Sequence, residues 1–154
     1  MNLNAVNAFC FHELIHLFIT ILVGIFIWWR YKDWRLILVA FLIGIFIDVD
    51  HLFDYWAYFG LNFNPANFLN VASYVYGSQK VYVLLHGWEF LLIFGFVAKV
   101  FEKKLKIKGL MWAVVLSYLG HLLWDNFSFS HHPLAYSFLF RLINNFSLKS
   151  FSGF

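Results

Sequence analysis

The chain of 154 residues is long enough for one compact domain, and 62% of it is hydrophobic against 12% charged, where soluble domains carry about 25% charge. A soluble fold of this length cannot bury so much apolar surface, because small domains keep a large exposed fraction; lipid is the expected solvent. The net charge of +3 says little until the charges are placed, and a lone cysteine, Cys10, excludes an intramolecular disulfide.

A membrane-spanning helix needs roughly 20 mostly apolar residues, and four segments qualify. The first covers about 8–29 and contains FCFHELIHLFITILVGIFIWW; with no basic stretch ahead of it and no small-residue cleavage site, it is expected to be retained. The second covers about 34–53 and ends in IDVDHLF. A longer segment, 54–80, follows, rich in Asn, Gly and aromatic residues suited to the headgroup region. The third covers about 81–101 (VYVLLHGWEFLLIFGFVAKVF) and the fourth about 107–127 (GLMWAVVLSYLGHLLWDNF). After Pro133, LAYSFLFRLINNF is too short to span and is broken by Arg141 and two Asn, so it predicts an interfacial amphipathic helix. The expected fold is therefore all-α: one domain, residues 1–154, a polytopic bundle of four transmembrane helices plus an interfacial C-terminal helix.

Eight of the eleven basic residues (Arg30, Lys32, Arg35, Lys99, Lys103, Lys104, Lys106 and Lys108) fall in the two short turns after the first and third segments. The excess of Lys and Arg in cytoplasmic loops puts those turns inside. Both termini and the 54–80 segment then face outward from the cell (inner) membrane.

Alternating helix direction carries the ionisable residues to the face opposite the basic turns. His12, Glu13 and His16 start the first helix; Asp48, Asp50, His51 and Asp54 end the second. His86 and Glu89 start the third, and His121 and Asp125 end the fourth. All seven histidines, with His131 and His132, and six of the eight acids gather there. Residues three or four apart share a helix face, so His12/His16, Asp48/His51, His86/Glu89 and His121/Asp125 each present a pair. An ionisable group inside a membrane costs about 2.5 kcal/mol or more unless paired, and a divalent cation offsets several carboxylates together. Imidazole mixed with carboxylate suits zinc, iron or manganese; carboxylates alone suit magnesium or calcium. Any one pair also fits a polar contact that fixes helix packing.

As a set, IDVDH, the following LHGWE and then GHLLWD resemble the motifs of the membrane-bound metal-dependent hydrolase family, which includes the LexA-binding inner-membrane hydrolases and looks like a membrane relative of zinc-dependent phospholipase C and the P1-type nucleases. The resemblance implies that His121 and Asp125 form an HxxxD pair whose carboxylate bridges metals. Asp50 or Asp48, with His86, would complete a first site; His12 or His16 would belong to a second, and His131 would be a further ligand. Ile47 stands where the family has Pro, and LHGWE lacks the Thr-His-Ser that often follows the middle His.

The expected cofactor is a divalent metal, zinc first, as one or two ions, with His12, His16, Asp48, Asp50, His51, His86, His121, Asp125 and His131 as candidate ligands. Glu89 or Asp54 is the candidate general base. The expected substrate is a lipid-linked or interfacial phosphoester, since a headgroup reaches helix-end residues by lateral diffusion; no nucleic acid is expected. A non-catalytic metal-binding or ion-translocating protein is the alternative. Haem is disfavoured by the surrounding acids and the absence of a CxxCH motif.

Overall fold

The computed structural model describes residues 3–129, 132 and 134–152, with side chains at 10–128, 132 and 134–151. The described residues form helices and connections, with no strand and one isolated bridge between Lys80 and Ser147. In chain order the helices are α1 (Leu3–Tyr31), α2 (Arg35–Phe46), α3 (His51–Phe59), α4 (Pro65–Phe68), α5 (Val71–Ser78), α6 (Trp88–Leu105), α7 (Leu110–Phe129), α8 (Phe138–Ile143) and α9 (Leu148–Ser152).

The turn between α1 and α2 reverses at Lys32, whose φ of 56° is left-handed. The Asp33 carboxylate closes it by accepting from the backbone N–H of Arg35 at 3.1 Å and from its guanidinium at 2.6 Å. Lys106 (φ 55°) and Gly109 (φ 93°) reverse the chain after α6, and Glu102 accepts from the Met111 N–H at 3.1 Å. The two acids among the basic turns thus secure the chain reversals.

α7 packs against α1, α2 and α6, and α1 packs against α2. The buried residues of α7 (Leu110, Ala113, Val114, Ser117, Tyr118, His121, Leu122 and Asp125) recur at three- and four-residue steps, the spacing of one helix face. Small residues let these helices close: a Cβ on Gly120 would lie 2.7 Å from Ile19 Cγ2, and one on Gly44 1.8 Å from Thr20 Cγ2.

Three boundaries differ from the sequence expectation. The second helical run continues past Phe53 to Phe59, because α2 tightens into a 3-10 turn at Ile47–Asp50 and passes directly into α3. The expected loop at 54–80 therefore holds the end of α3 together with α4 and α5. The third helix begins at Trp88 rather than near Val81. Residues 81–87 leave the helix because side chains satisfy their backbone groups, as buried amides require. Asp54 accepts from the N–H of Tyr82 at 2.6 Å and of Val83 at 2.9 Å; Asp50 accepts from that of Leu85 at 2.5 Å. Tyr118 hydroxyl meets the Leu85 and Gly87 carbonyls, and Arg141 Nη2 donates to Val83 O at 3.0 Å. Val83 is held at φ 29°, a sparsely populated conformation for a β-branched residue, between those Asp54 and Arg141 bonds. Finally, the tail is two short helices, not one amphipathic helix: Asn145 (φ 54°) and Phe146 (φ 56°) are both left-handed and turn the chain, while Arg141 points inward and is 2% exposed. Burial pulls its guanidinium below the ordinary value, against the opposing pull of Tyr136, Asp50 and Asp54.

Two helical runs, Cys10–Tyr31 and Arg35–Phe59, are long and apolar enough to cross a membrane. Only 22% and 28% of their most apolar windows are buried, whereas a core helix of a soluble protein is mostly covered. Four spans were expected. α6, with Glu89, Lys99, Glu102, Lys103 and Lys104, and α7, with His121 and Asp125, fall outside that measure.

Candidate metal centre

Seven of the expected residues converge: His12 and His16 from α1, Asp48 from the 3-10 turn, His51 from α3, His86 from the 81–87 segment, and His121 and Asp125 from α7. Their donor atoms form overlapping groups of three within 4.8 Å of one another. The 3-10 turn places Asp48 and His51, three apart, on one side.

Asp125 joins two triangles of donors. Its Oδ1 lies 3.0 Å from His12 Nε2 and 2.9 Å from His16 Nε2, which are 2.8 Å from each other. Its Oδ2 lies 3.3 Å from both His86 Nε2 and His121 Nε2, which are 3.1 Å apart. Asp48 Oδ1 stands 3.3 Å from the same two nitrogens. Sides of about 3.3 Å are those of one face of a tetrahedral site with ligands about 2 Å from zinc. His51 Nε2 is more distant, 3.9 Å from Asp48 Oδ1.

The supporting bonds orient the central imidazoles. His86 Nδ1 donates to Asp50 at 3.1 Å, and His121 Nδ1 donates to the Gly44 carbonyl at 2.9 Å. In the neutral ring both Nε2 lone pairs then face inward, the arrangement metal-ligating histidines adopt. Two such lone pairs 3.1 Å apart, beside carboxylate oxygens, require a proton or a cation between them. The buried Asp48 Oδ2, His16 Nδ1 and His51 Nδ1 have no hydrogen-bond partner among the described residues. The donor set thus fits a divalent ion.

Three candidates are used differently from the sequence expectation. Asp50 supports His86 Nδ1 and the Leu85 N–H rather than joining the donor groups. Both oxygens of Asp54, a candidate base, are engaged by the Tyr82 and Val83 amides. Glu89, the other candidate base, caps α8: it accepts from Ser137 Oγ at 2.5 Å and from the Phe138 and Leu139 N–H groups at 3.0 and 3.3 Å. His131 lies outside the described residues. His132 stacks on Phe140 and accepts from the Leu134 N–H. Glu89→Gln should therefore leave bound metal unchanged, whereas Asp48→Asn should lower affinity at least about tenfold, by competition against a chromophoric chelator; equal losses would contradict this division of roles.

Glu13 is the residue sequence reasoning passed over. It is half-buried and within electrostatic range of Asp48, His121 and Asp125. Its signal was present: His12-Glu13-Leu14-Ile15-His16 is H-E-x-x-H on a helix, a pattern in which two histidines bind zinc and the Glu is general base. With Asp125 the two histidines make a set of two imidazoles and one carboxylate, a combination that catalytic zinc sites use.

Trp124 differs from the other supports. Its Nε1–H donates to His12 Nδ1 at 2.9 Å, so His12 receives a hydrogen bond where His86 and His121 give one. Comparison with family models, curated proteins and solved structures finds no match to this chain.

Proposed function

We propose that the chain is a membrane-embedded, metal-dependent hydrolase with its centre near one face of the bilayer. The observation that carries the metal reading is the pair of Nε2 atoms of His86 and His121 at 3.1 Å, with both Nδ1 atoms committed as donors. His86, His121, Asp125 and Asp48 hold a divalent ion, zinc first; His12 and His16 stand at the other oxygen of Asp125. The ion supplies Lewis acidity to a substrate oxygen and to water. Glu13, rather than Asp54 or Glu89, would be the carboxylate that takes a proton from water, a role its electrostatic range of Asp48, His121 and Asp125 supports.

Four spans support the membrane reading best, with α6 and α7 completing the bundle begun by α1 and the α2–α3 run. α7 turns its polar residues inward, as intramembrane polar residues do, while Leu92 and Phe96 on α6 are 77% and 72% exposed. The basic turns then lie in the cytoplasm. Cysteines placed singly at Lys104 and Asn64, with Cys10 replaced, should label only from inside and only from outside respectively; labelling of Lys104 from outside would reverse the orientation.

The residues flanking the centre favour an amphiphilic substrate: Phe11, Leu14, Val49, Phe53 and Phe127 are exposed neighbours of its polar residues. A phosphoester on a lipid or lipid-linked carrier fits, its headgroup meeting the donors while its chains stay in the bilayer. H-E-x-x-H with Asp125 favours a second reading, hydrolysis of a peptide bond at the same face. Zinc-loaded protein in mixed micelles, assayed on a long-chain phosphoester and on an apolar peptide, separates the two. Glu13→Gln should abolish the active arm and keep the metal; turnover of neither substrate, or full turnover by Glu13→Gln, would overturn the hydrolase reading.

A further inference from the structure

We propose that Trp124 makes the two donor triangles unequal, leaving His12–His16–Asp125 as a second and weaker cation position beside the His86–His121 position. The inference rests on the metal reading above and concerns which nitrogen of each imidazole presents a lone pair.

At His86 and His121, Nδ1 is a donor and Nε2 is the inward lone pair. At His12 the order is reversed. An indole N–H can only donate, so the 2.9 Å contact from Trp124 Nε1 makes His12 Nδ1 the acceptor. A neutral imidazole with its lone pair on Nδ1 carries its hydrogen on Nε2. That Nε2–H faces Asp125 Oδ1 at 3.0 Å and His16 Nε2 at 2.8 Å, presenting hydrogen where a ligand presents a lone pair. For His12 to ligate through Nε2, the hydrogen must stand on Nδ1, where it would oppose the indole N–H.

The indole is held where it is. It precedes Asp125 in α7, its ring stacks on that of His12 with centroids 6.0 Å apart, and it packs against Phe127 at 6.1 Å. The same helix turn therefore offers the bridging carboxylate and disfavours one of its partners. A cation entering this triangle loses one hydrogen bond and sets two donors against each other, a penalty on the order of tenfold in affinity. The ligand class is a divalent cation that accepts mixed imidazole and carboxylate, zinc among the first-row metals. The centre then keeps one resident ion and exchanges a second.

Zinc titration of the purified full chain, with a competing chromophoric chelator, tests this in wild type, Trp124→Phe and Trp124→Phe/His12→Ala. Phe keeps the ring and removes the N–H that opposes a hydrogen on His12 Nδ1. The expected result is a tight first ion of unchanged affinity, a second ion bound on the order of tenfold more tightly in Trp124→Phe, and loss of that gain in the double variant. An unchanged second affinity, or two equally tight ions in wild type, overturns the role of Trp124 while leaving the metal reading standing. No zinc bound by any protein, wild type included, overturns the metal reading itself. Should Trp124→Phe lose the first ion as well, the 15N spectrum of histidine-labelled wild type decides: an Nε2–H tautomer assigned to His12 supports the proposal, and an Nδ1–H tautomer overturns it.

Discussion

Asp125→Asn is expected to strip the protein of tightly held metal, a larger loss than any other single substitution in the centre produces. The carboxylate side chain is 4% exposed, and its two oxygens serve four imidazoles at 2.9–3.3 Å. The Asn amide keeps the shape but offers one oxygen and an amide nitrogen that only donates, so it cannot face both histidine pairs as an acceptor. Removing a supporting residue costs roughly 10–100-fold in metal affinity; loss of a shared ligand should exceed that. Elemental analysis of the purified variant would show it, and wild-type metal content in Asp125→Asn would exclude Asp125 as a bridge. Thermal unfolding in detergent should fall as well, because four clustered imidazoles lose the carboxylate that lies within 3.3 Å of each of them.

Gly44→Ala should have the largest effect among changes that touch no donor atom. A Cβ there would stand 1.8 Å from Thr20 Cγ2 and 3.0 Å from Thr20 Cβ. Thr20 is 1% exposed, and its hydroxyl donates to the His16 and Leu17 carbonyls at 3.0 Å, which holds a side chain already stiff at χ1. The two helices must therefore separate. Overpacking of this kind costs about 1–3 kcal/mol, or a midpoint lower by roughly 2–12 °C for a chain of this size. The shift also moves the Gly44 carbonyl away from His121 Nδ1, so metal affinity should weaken about tenfold. Thr20→Ser removes the clashing methyl, and Gly44→Ala/Thr20→Ser should recover most of both losses. A double variant no more stable than Gly44→Ala would show that the contact is not the cause.

The convergence of the polar residues was legible because helix direction and three- or four-residue spacing act locally. His12/His16, His121/Asp125 and Asp48 all reach the centre from those two rules alone. The supporting roles of Asp50, Asp54 and Glu89 were not legible. An acid near a histidine reads as a ligand or a base until the chain that lies against it is known. VYVLLHG reads as helix from its apolarity, yet it is pulled out of helical form by carboxylates some thirty residues earlier and by Arg141 almost sixty residues later. The inward turn of Arg141 was hidden for the same reason: it answers distant carbonyls and charges, whereas its own neighbours suggest an interfacial helix. Glu13 was legible as one of the acids at the start of the first helix but was given no role, although H-E-x-x-H lay in plain sequence. The role of Trp124 was not legible, since nothing local reveals that its N–H meets an imidazole 112 residues away in the chain.

The most direct test of the central claim is the metal content of wild-type protein extracted from membranes and purified without chelator. A divalent cation in the His86–His121 position predicts at least one equivalent per chain, retained through purification. Folded protein that carries no divalent metal, and takes up none from added zinc, iron or manganese, would contradict it.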